Sequence, residues 1–349
     1  MEDSNSKICT DLLSVIEKIR KDHPERTENK GEVYLDSHEN PHHAPYNRYF
    51  DNTERMLIQT VGKIFQQPAE NIIVDRGVEG LFDLLLRMVC VPHRDNIAVV
   101  SPLDEKVVNV ARLNRIDVRR VMTNEQFVLE PSSVAEVVSK TTQIIYLDQP
   151  GVPTGRLHPL ETLKQVLNSF EGLVVVNETF LPFSQQPSLR TILREHSNLI
   201  VLQSLGGFWA SDAFGLAVAF MNAQLANDLR TVQRLYPQPL PCLTLAEEFL
   251  SKQSFDTTKW RTNITEERAK VMSALKPLPF VVEIYPSAAN YFMVKFNDAA
   301  KTHQYLLEQG IHTELVQSHH PSCENCICFT IGLSHENTRL ISALRNFNP

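Results

Sequence analysis

The sequence predicts an α/β chain: a large domain with a mostly parallel sheet flanked by helices, followed by a smaller α+β C-terminal domain. Three observations predict it. Short, continuous apolar runs rich in Val and Ile alternate with helical patterns from residue 71 to residue 202, the pattern of strands buried on both faces. Pro237-Gln-Pro-Leu-Pro241 interrupts that alternation, and beyond it the order changes to strand, strand, helix, strand, strand, helix. A length of 349 residues accommodates roughly two domains at about 150 residues each.

Residues 1–30 are polar and charged, with a helix-permissive stretch from Asp11 to Lys21. Asn71 to Asp75 predicts a strand, and Leu81, Leu84, Leu85, Met88 and Val89 fall at helical spacing. Asn96–Ser101 is strand-like and precedes a helix over Val107–Leu113. Ile116–Val121 and Gln143–Leu147 are the next strands, each followed by a helix, at Val134–Val138 and Leu160–Leu167. Gly172–Val176 and Asn198–Leu202 are two further buried runs, with a helix expected between them. After the prolines a long helical stretch runs from Leu243 to Leu275. Strands at Phe280–Tyr285, Asn290–Phe296, Ile311–Leu315 and Ile327–Ile331, with helices at Ala299–Gln309 and Glu336–Asn346, complete the chain, and Ser334 is the expected N-cap of the last helix. The divisions expected are an N-terminal arm (1–45), a large domain (46–240) and a small C-terminal domain (241–349).

Hydrophobic residues at 42% and charged residues at 21% describe a globular composition and not a disordered one. A net charge of −7 gives no polyanion-binding signature, so nucleic acid is not an expected partner. Leu199–Phe220 is the most apolar stretch, but Gln203, Ser204, Ser211 and Asp212 interrupt it, so buried strands joined by a turn are expected and a membrane span is not. The first residues carry no basic segment followed by an apolar one. The six cysteines do not form a disulfide-framework pattern, and a reducing, cytoplasmic setting is expected.

Several segments share their order and spacing with one family: Leu35-Asp-Ser-His-Glu-Asn-Pro41, Asn47-Arg-Tyr49, Arg76-Gly-Val-Glu-Gly80, Pro150-Gly-Val-Pro-Thr-Gly155, Val176-Asn-Glu-Thr-Phe180, Ala289-Asn290, Gly310-Ile311 and Thr330-Ile-Gly332. In one collinear run from about residue 30 to residue 347, the chain resembles the fold-type I pyridoxal-phosphate aminotransferases, most closely histidinol-phosphate aminotransferase. The resemblance implies the fold of that family and a homodimer. In that dimer Tyr49 matches the tyrosine that reaches the neighbouring subunit's cofactor phosphate.

The same resemblance implies that the catalytic positions have changed. The Schiff-base lysine falls at Gly207, and no lysine occurs between Lys164 and Lys252. The acid on the cofactor's ring nitrogen falls at Asn177, which cannot supply the charge that raises that nitrogen's pKa. The tyrosine and asparagine that serve the phenolic oxygen fall at Phe180 and Val152. The stacking tyrosine falls near Asp104, the serine before the lysine at Gly206, and the phosphate-clamping arginine near Gly215. The arginine that grips the substrate carboxylate falls at Cys328. An anion-binding remnant is expected at Tyr49, Gly77, Val78 and Ser204, where the amides of Val78 and Glu79 open a helix. Gly206, Gly207 and Gly215 are otherwise turn or strand glycines, and Phe180 and Val152 core residues.

Two histidine-rich spots stand apart from that pattern. Ser37-His-Glu-Asn-Pro-His-His43 lies in the arm, and His319, His320, Cys323, Cys326 and Cys328 crowd one segment near the C-terminus. Imidazole and thiolate suit zinc, although a lone C-x-x-C is a weak zinc signal and the plainer reading is a polar surface loop running into a strand, with Cys328 a small buried residue. His158, His196 and His303 are expected to be structural or solvated, and Arg48 and Arg76 to serve either an anion or a salt bridge.

The leading expectation is therefore a histidinol-phosphate-aminotransferase-like protein that has lost its covalent cofactor anchor and acts by binding a small anionic ligand or a protein partner. No cofactor is expected, pyridoxal phosphate is disfavoured, and zinc is the one candidate. The alternatives are a metal-dependent enzyme built on the Cys/His cluster, and an aminotransferase of the histidinol-phosphate type that holds the cofactor non-covalently in its amine form.

Overall fold

The computed structural model describes residues 7–42, 47–209, 212–252 and 257–348. A seven-stranded sheet has the order β1-β7-β6-β5-β4-β2-β3. Its strands are β1 (Ile72–Arg76), β2 (Asn96–Ser101), β3 (Asp117–Met122), β4 (Thr142–Asp148), β5 (Leu173–Asn177), β6 (Leu199–Ser204) and β7 (Leu216–Phe220). Strands β2 to β6 pair in parallel, and β7 runs antiparallel to both β1 and β6. The apolar runs become strands because both faces are covered. One core, including Val74, Ala98, Ile145, Val174 and Val201, lies on one side, and a second, including Ile73, Ile97, Ile144, Val175 and Ile200, lies on the other. Successive residues along a strand thus enter opposite cores, so nearly every position is apolar.

The helices that cover the sheet are α1 (Thr10–Asp22) and α2 (Asn52–Phe65), which precede its first strand, and α3 (Gly77–Val89), α4 (Glu105–Leu113), α5 (Pro131–Val137), α6 (Leu160–Ser169) and α7 (Ala223–Gln233), which follow β1, β2, β3, β4 and β7. Asn222 caps α7 by accepting the Leu225 amide at 2.9 Å, a contact of about 1 kcal/mol. α2 and α7 have no counterpart in the sequence expectation. The helix expected between β5 and β6 is absent. Short 3₁₀ turns at Leu181–Phe183 and Leu189–Ile192 replace it, in a segment where Pro182 and Pro187 lack the amide hydrogens a helix needs.

The long helical stretch is two helices, α8 (Leu240–Lys252) and α9 (Thr257–Leu275). Beyond them β8 (Val281–Ile284), β9 (Tyr291–Phe296), β10 (Glu314–Leu315) and β11 (Cys326–Thr330) form an antiparallel sheet of order β10-β11-β9-β8. α10 (Ala299–Glu308) and α11 (Ser334–Asn346) cover it, with Phe292, Val294, Ile327, Phe329, Leu340 and Leu344 in the core between them. The cap of α11 differs from expectation. Leu333 is its N-cap, and the Glu336 carboxylate folds back to accept the Leu333 amide at 2.7 Å. Among the described residues no helix is long and apolar enough to cross a membrane.

Candidate functional site: an acidic cleft at the strand ends

The carboxyl ends of β4, β5 and β6 open into a cleft of about 940 Å³ between the two sheets, the position where open α/β sheets bind ligands. Asp148, Asn177 and Ser204 line it from the strand ends, Gly77, Val78 and Glu79 from the first turn of α3, and Asp104 and Lys106 from the start of α4. The small sheet contributes Tyr291, Glu314 and Cys328. Of the charged side chains among the described lining residues, six are carboxylates (Glu79, Asp104, Glu105, Asp148, Asp212 and Glu314) and one is cationic (Lys106).

The floor is built on a strand pair. Asp148 and Asn177 are direct Cα partners across β4 and β5. The Asn177 amide donates to Asp148 Oδ1 at 2.9 Å, and the Tyr146 hydroxyl donates to the same oxygen at 3.3 Å. Asp148 Oδ2 is buried and has no partner. Burial, the dominant cause, pushes the Asp148 carboxyl up to about 7 despite those two donors, with nearby Asp104 and Glu79 pushing it further. Asn177 Oδ1 accepts from both the amide (3.2 Å) and the hydroxyl (2.6 Å) of Thr179.

The turn after β6 is where the resemblance sets the covalent anchor. Gly207 has φ +48°, and a side chain built there would meet open space. Its amide donates to both oxygens of Asp212, each at 2.9 Å. A Cβ at Gly206 would overlap the Asp212 carboxylate, so that glycine permits the close approach. Gly215 has φ +61°, and its carbonyl accepts the Gly77 amide at 2.8 Å. The Ser204 hydroxyl accepts the Gly206 amide at 3.0 Å.

Phe180 and Val152 pack with Ala289, Tyr291 and Cys328 in a small apolar cluster. Phe180 meets Tyr291 edge-on at 5.0 Å between ring centroids, and the Tyr291 hydroxyl donates to Gly151 O at 3.0 Å. Asp104 caps α4 through the Lys106 amide (2.9 Å) and pairs with the Lys106 ammonium at 3.4 Å. Tyr49 does not line this cleft. It lines a separate groove with Glu39, Arg48 and Pro237–Pro241. Arg48 and Arg76 pair with Glu39 (4.0 Å) and Asp75 (3.9 Å) and do not line the cleft either.

The zinc expectation is corrected by the placement of its residues. No group of three or more potential ligands comes together among the described residues. His320 is committed on both ring nitrogens, to the Thr123 carbonyl (3.1 Å) and to the Ser322 amide (3.2 Å), and its ring lies 4.9 Å from that of Phe127. Cys323 and Cys326 sit in an apolar cluster with Phe127, Tyr285 and Met293. Burial raises their thiols to about 11 and about 12, and raises that of Cys328 as well, the opposite of what thiolate ligation needs. His319 joins no such group, and His43, in the second histidine-rich spot, lies outside the described residues. His158 is structural: its Nδ1 accepts the Leu129 amide at 3.2 Å, and burial lowers its pKa to about 4.

These strand-end and turn positions, on this sheet order, define a class. The chain belongs to the class I and II aminotransferase family, whose model matches residues 12–344. Within it the chain is histidinol-phosphate-aminotransferase-like. It is 32% identical over 319 residues to a histidinol-phosphate aminotransferase of Bacteroides fragilis, covering 90% of this chain and 91% of the relative. It is 30% identical over 328 residues to one from Bacteroides thetaiotaomicron, covering 92% and 93%. The histidinol-phosphate aminotransferase structure from Clostridium acetobutylicum superposes with a TM-score of 0.72 at 17% identity, over 84% of this chain and 88% of that one, which shows the shared fold. Membership of this family overturns the expectation of no cofactor, because it points to pyridoxal phosphate.

The residues present fit that group in part. An unpaired buried carboxylate oxygen at the floor suits a donor nitrogen, and the Ser204 hydroxyl and the first turn of α3 suit an anion. Position 207 offers no amine for a covalent anchor, and Asp212 already takes the Gly207 amide. Asp148 is the cleft-lining residue that sequence reasoning did not single out. Its signal was a carboxylate at the carboxyl end of a central strand, just before the Pro150 segment.

Proposed function

We propose that this chain is a histidinol-phosphate-aminotransferase-like protein that takes a pyridoxal-phosphate-class cofactor as a non-covalent guest and, without an amine at residue 207, acts by binding. The observation that carries this reading is Gly207: a glycine with open space beside it at the position the resemblance assigns to the lysine. When bound, the cofactor's ring supplies an electron sink. This chain's own part is to hold the ring end at Asp148, which Asn177 orients, to hold the phosphate end at Ser204 and the first turn of α3, and to close one wall with Phe180, Val152 and Tyr291. A homodimer belongs to the reading, since Tyr49 lies away from the cleft of its own chain and is available to a partner's.

A second reading is an aminotransferase of the histidinol-phosphate type that works with the amine form of the cofactor, which carries its own amine. The relatives' named activity favours it.

Two measurements on the purified protein test both. Titration with pyridoxal 5′-phosphate and pyridoxamine 5′-phosphate, followed by borohydride and intact mass, should give saturable binding and no covalent adduct. An adduct on a cleft residue would overturn the non-covalent reading. Incubation of the pyridoxamine-loaded protein with 2-oxo acids should leave the bound cofactor unchanged, and its conversion to the aldehyde would move the conclusion to the second reading.

A further inference from the structure

We propose that Asp148, and not the residue at 177, is the carboxylate that meets the protonated ring nitrogen of the guest pyridine. The inference rests on the reading of the cleft as a pyridoxal-phosphate-class site and adds which atom of this chain recognises the ring.

The two strand-end residues divide one task. Asn177 occupies the position where the resemblance sets the family's acid, but both ends of its amide are committed, the nitrogen to Asp148 and the oxygen to Thr179. It brings no charge. Its direct partner on β4 does. Asp148 Oδ1 is served twice, by Asn177 and Tyr146, while Oδ2 has nothing, although the residue is only 5% exposed and lines the cleft. A buried carboxylate oxygen left without a donor is costly, and here the donor pair on Oδ1 fixes the carboxylate so that its other oxygen is the one left over. A ring N–H is a planar, single donor of the kind that oxygen lacks. The surrounding acids strengthen the case. Asp104 and Glu79 act on Asp148 with like charge, so a cationic nitrogen relieves a repulsion that a neutral one leaves in place. The carboxylate has moved by one strand, with its strand partner kept as an amide that orients it.

The test uses pyridoxamine 5′-phosphate labelled with ¹⁵N in the ring, bound to the full chain, with titration calorimetry beside the nitrogen spectrum. In the wild-type complex the ring nitrogen should carry the shift of a protonated pyridine at a pH where the free compound has lost that proton. Asp148→Asn keeps the shape and should weaken binding roughly 10- to 100-fold, the range for losing a hydrogen bond to a charged group, with the nitrogen reverting to the unprotonated shift. An unprotonated ring in the wild-type complex overturns the proposal without recourse to any variant. Equal affinity and an equal shift in Asp148→Asn overturn it too, and leave the cofactor reading standing. Failure of the wild-type chain to bind the compound ends the cofactor reading, and this assignment with it.

Discussion

Both carboxylate oxygens of Asp212 lie 2.9 Å from the amide nitrogen of Gly207. An acid of the chain itself therefore occupies the turn that the resemblance assigns to a cofactor phosphate. The arrangement stabilises the turn, since a carboxylate on a backbone amide is a charge-assisted bond, and it places a negative charge beside any phosphate that enters.

Asp212→Asn should therefore shift two quantities in opposite directions. Removing the like charge should tighten binding of pyridoxal phosphate and of inorganic phosphate by about fivefold, equivalent to about 1 kcal/mol. Weakening the bond to the Gly207 amide should cost about 1 kcal/mol of stability. Calorimetric titration and thermal melting read the two. Unchanged or weaker phosphate binding would show that Asp212 does not face the anion.

Gly207→Lys tests whether the scaffold still accommodates an amine. A side chain at 207 meets open space, but the backbone there has φ +48°, which costs a non-glycine residue roughly 1–2 kcal/mol. The variant should fold with a melting temperature a few degrees lower. After pyridoxal phosphate and borohydride, its mass should rise by one reduced cofactor, while the wild-type mass stays constant. A folded variant that gains no mass would place residue 207 away from the cofactor.

The buried strands were the most legible part of the chain, because burial on both faces leaves runs such as Leu173–Val176 with no polar interruption. α2 was not legible. Its buried residues Leu57, Ile58, Val61, Gly62 and Phe65 are spread among polar ones, and its partners, α8 and β1, are fixed only by the fold. Ser334 was the expected cap of α11 from residue type, yet the bond is made by Glu336 to the Leu333 amide, a geometry that residue type does not encode. The candidate site divides in the same way. The turn glycines could be placed by collinear motifs, whereas Asp148 became visible only once β4 and β5 were paired. The Cys/His cluster misled because spacing along a strand says nothing about what fills the space between side chains, and here Phe127 and Met293 fill it.

His320→Ala should cost stability and nothing else. The side chain holds the half-buried Ser322 amide and the buried Thr123 carbonyl, so its loss leaves one buried and one half-buried group unpaired, at about 2–4 kcal/mol. A chelator should leave the melting temperature of the wild-type protein unchanged, since the cysteines nearby are buried among apolar side chains. A chelator-dependent drop in melting temperature, or one equivalent of zinc in protein purified without a histidine tag, would reverse this assignment.

The buried carboxyl at the cleft floor sets a pH dependence whose sign can be worked out. Burial raises Asp148 from an ordinary value near 4 to about 7 in the folded chain. Below about pH 4 the group is protonated in both states and imposes no penalty. Between about 4 and about 7 the unfolded chain has released the proton and the folded chain still holds it, so the folded state binds more protons and stability falls as pH rises. Above about 7 the penalty is fully developed and constant. Glu178 follows the same course, since burial also raises it to about 7. Asp148→Asn removes one of these contributions. Its melting temperature relative to wild type should climb across pH 4 to 7 by an amount equivalent to roughly 1–3 kcal/mol, then level off. Any fixed cost of the new amide shifts the whole comparison without changing its slope. A difference that stays flat across that window would mean that Asp148 is ionised in the folded chain well below pH 7, and that some group in the cleft already supplies the charge it needs.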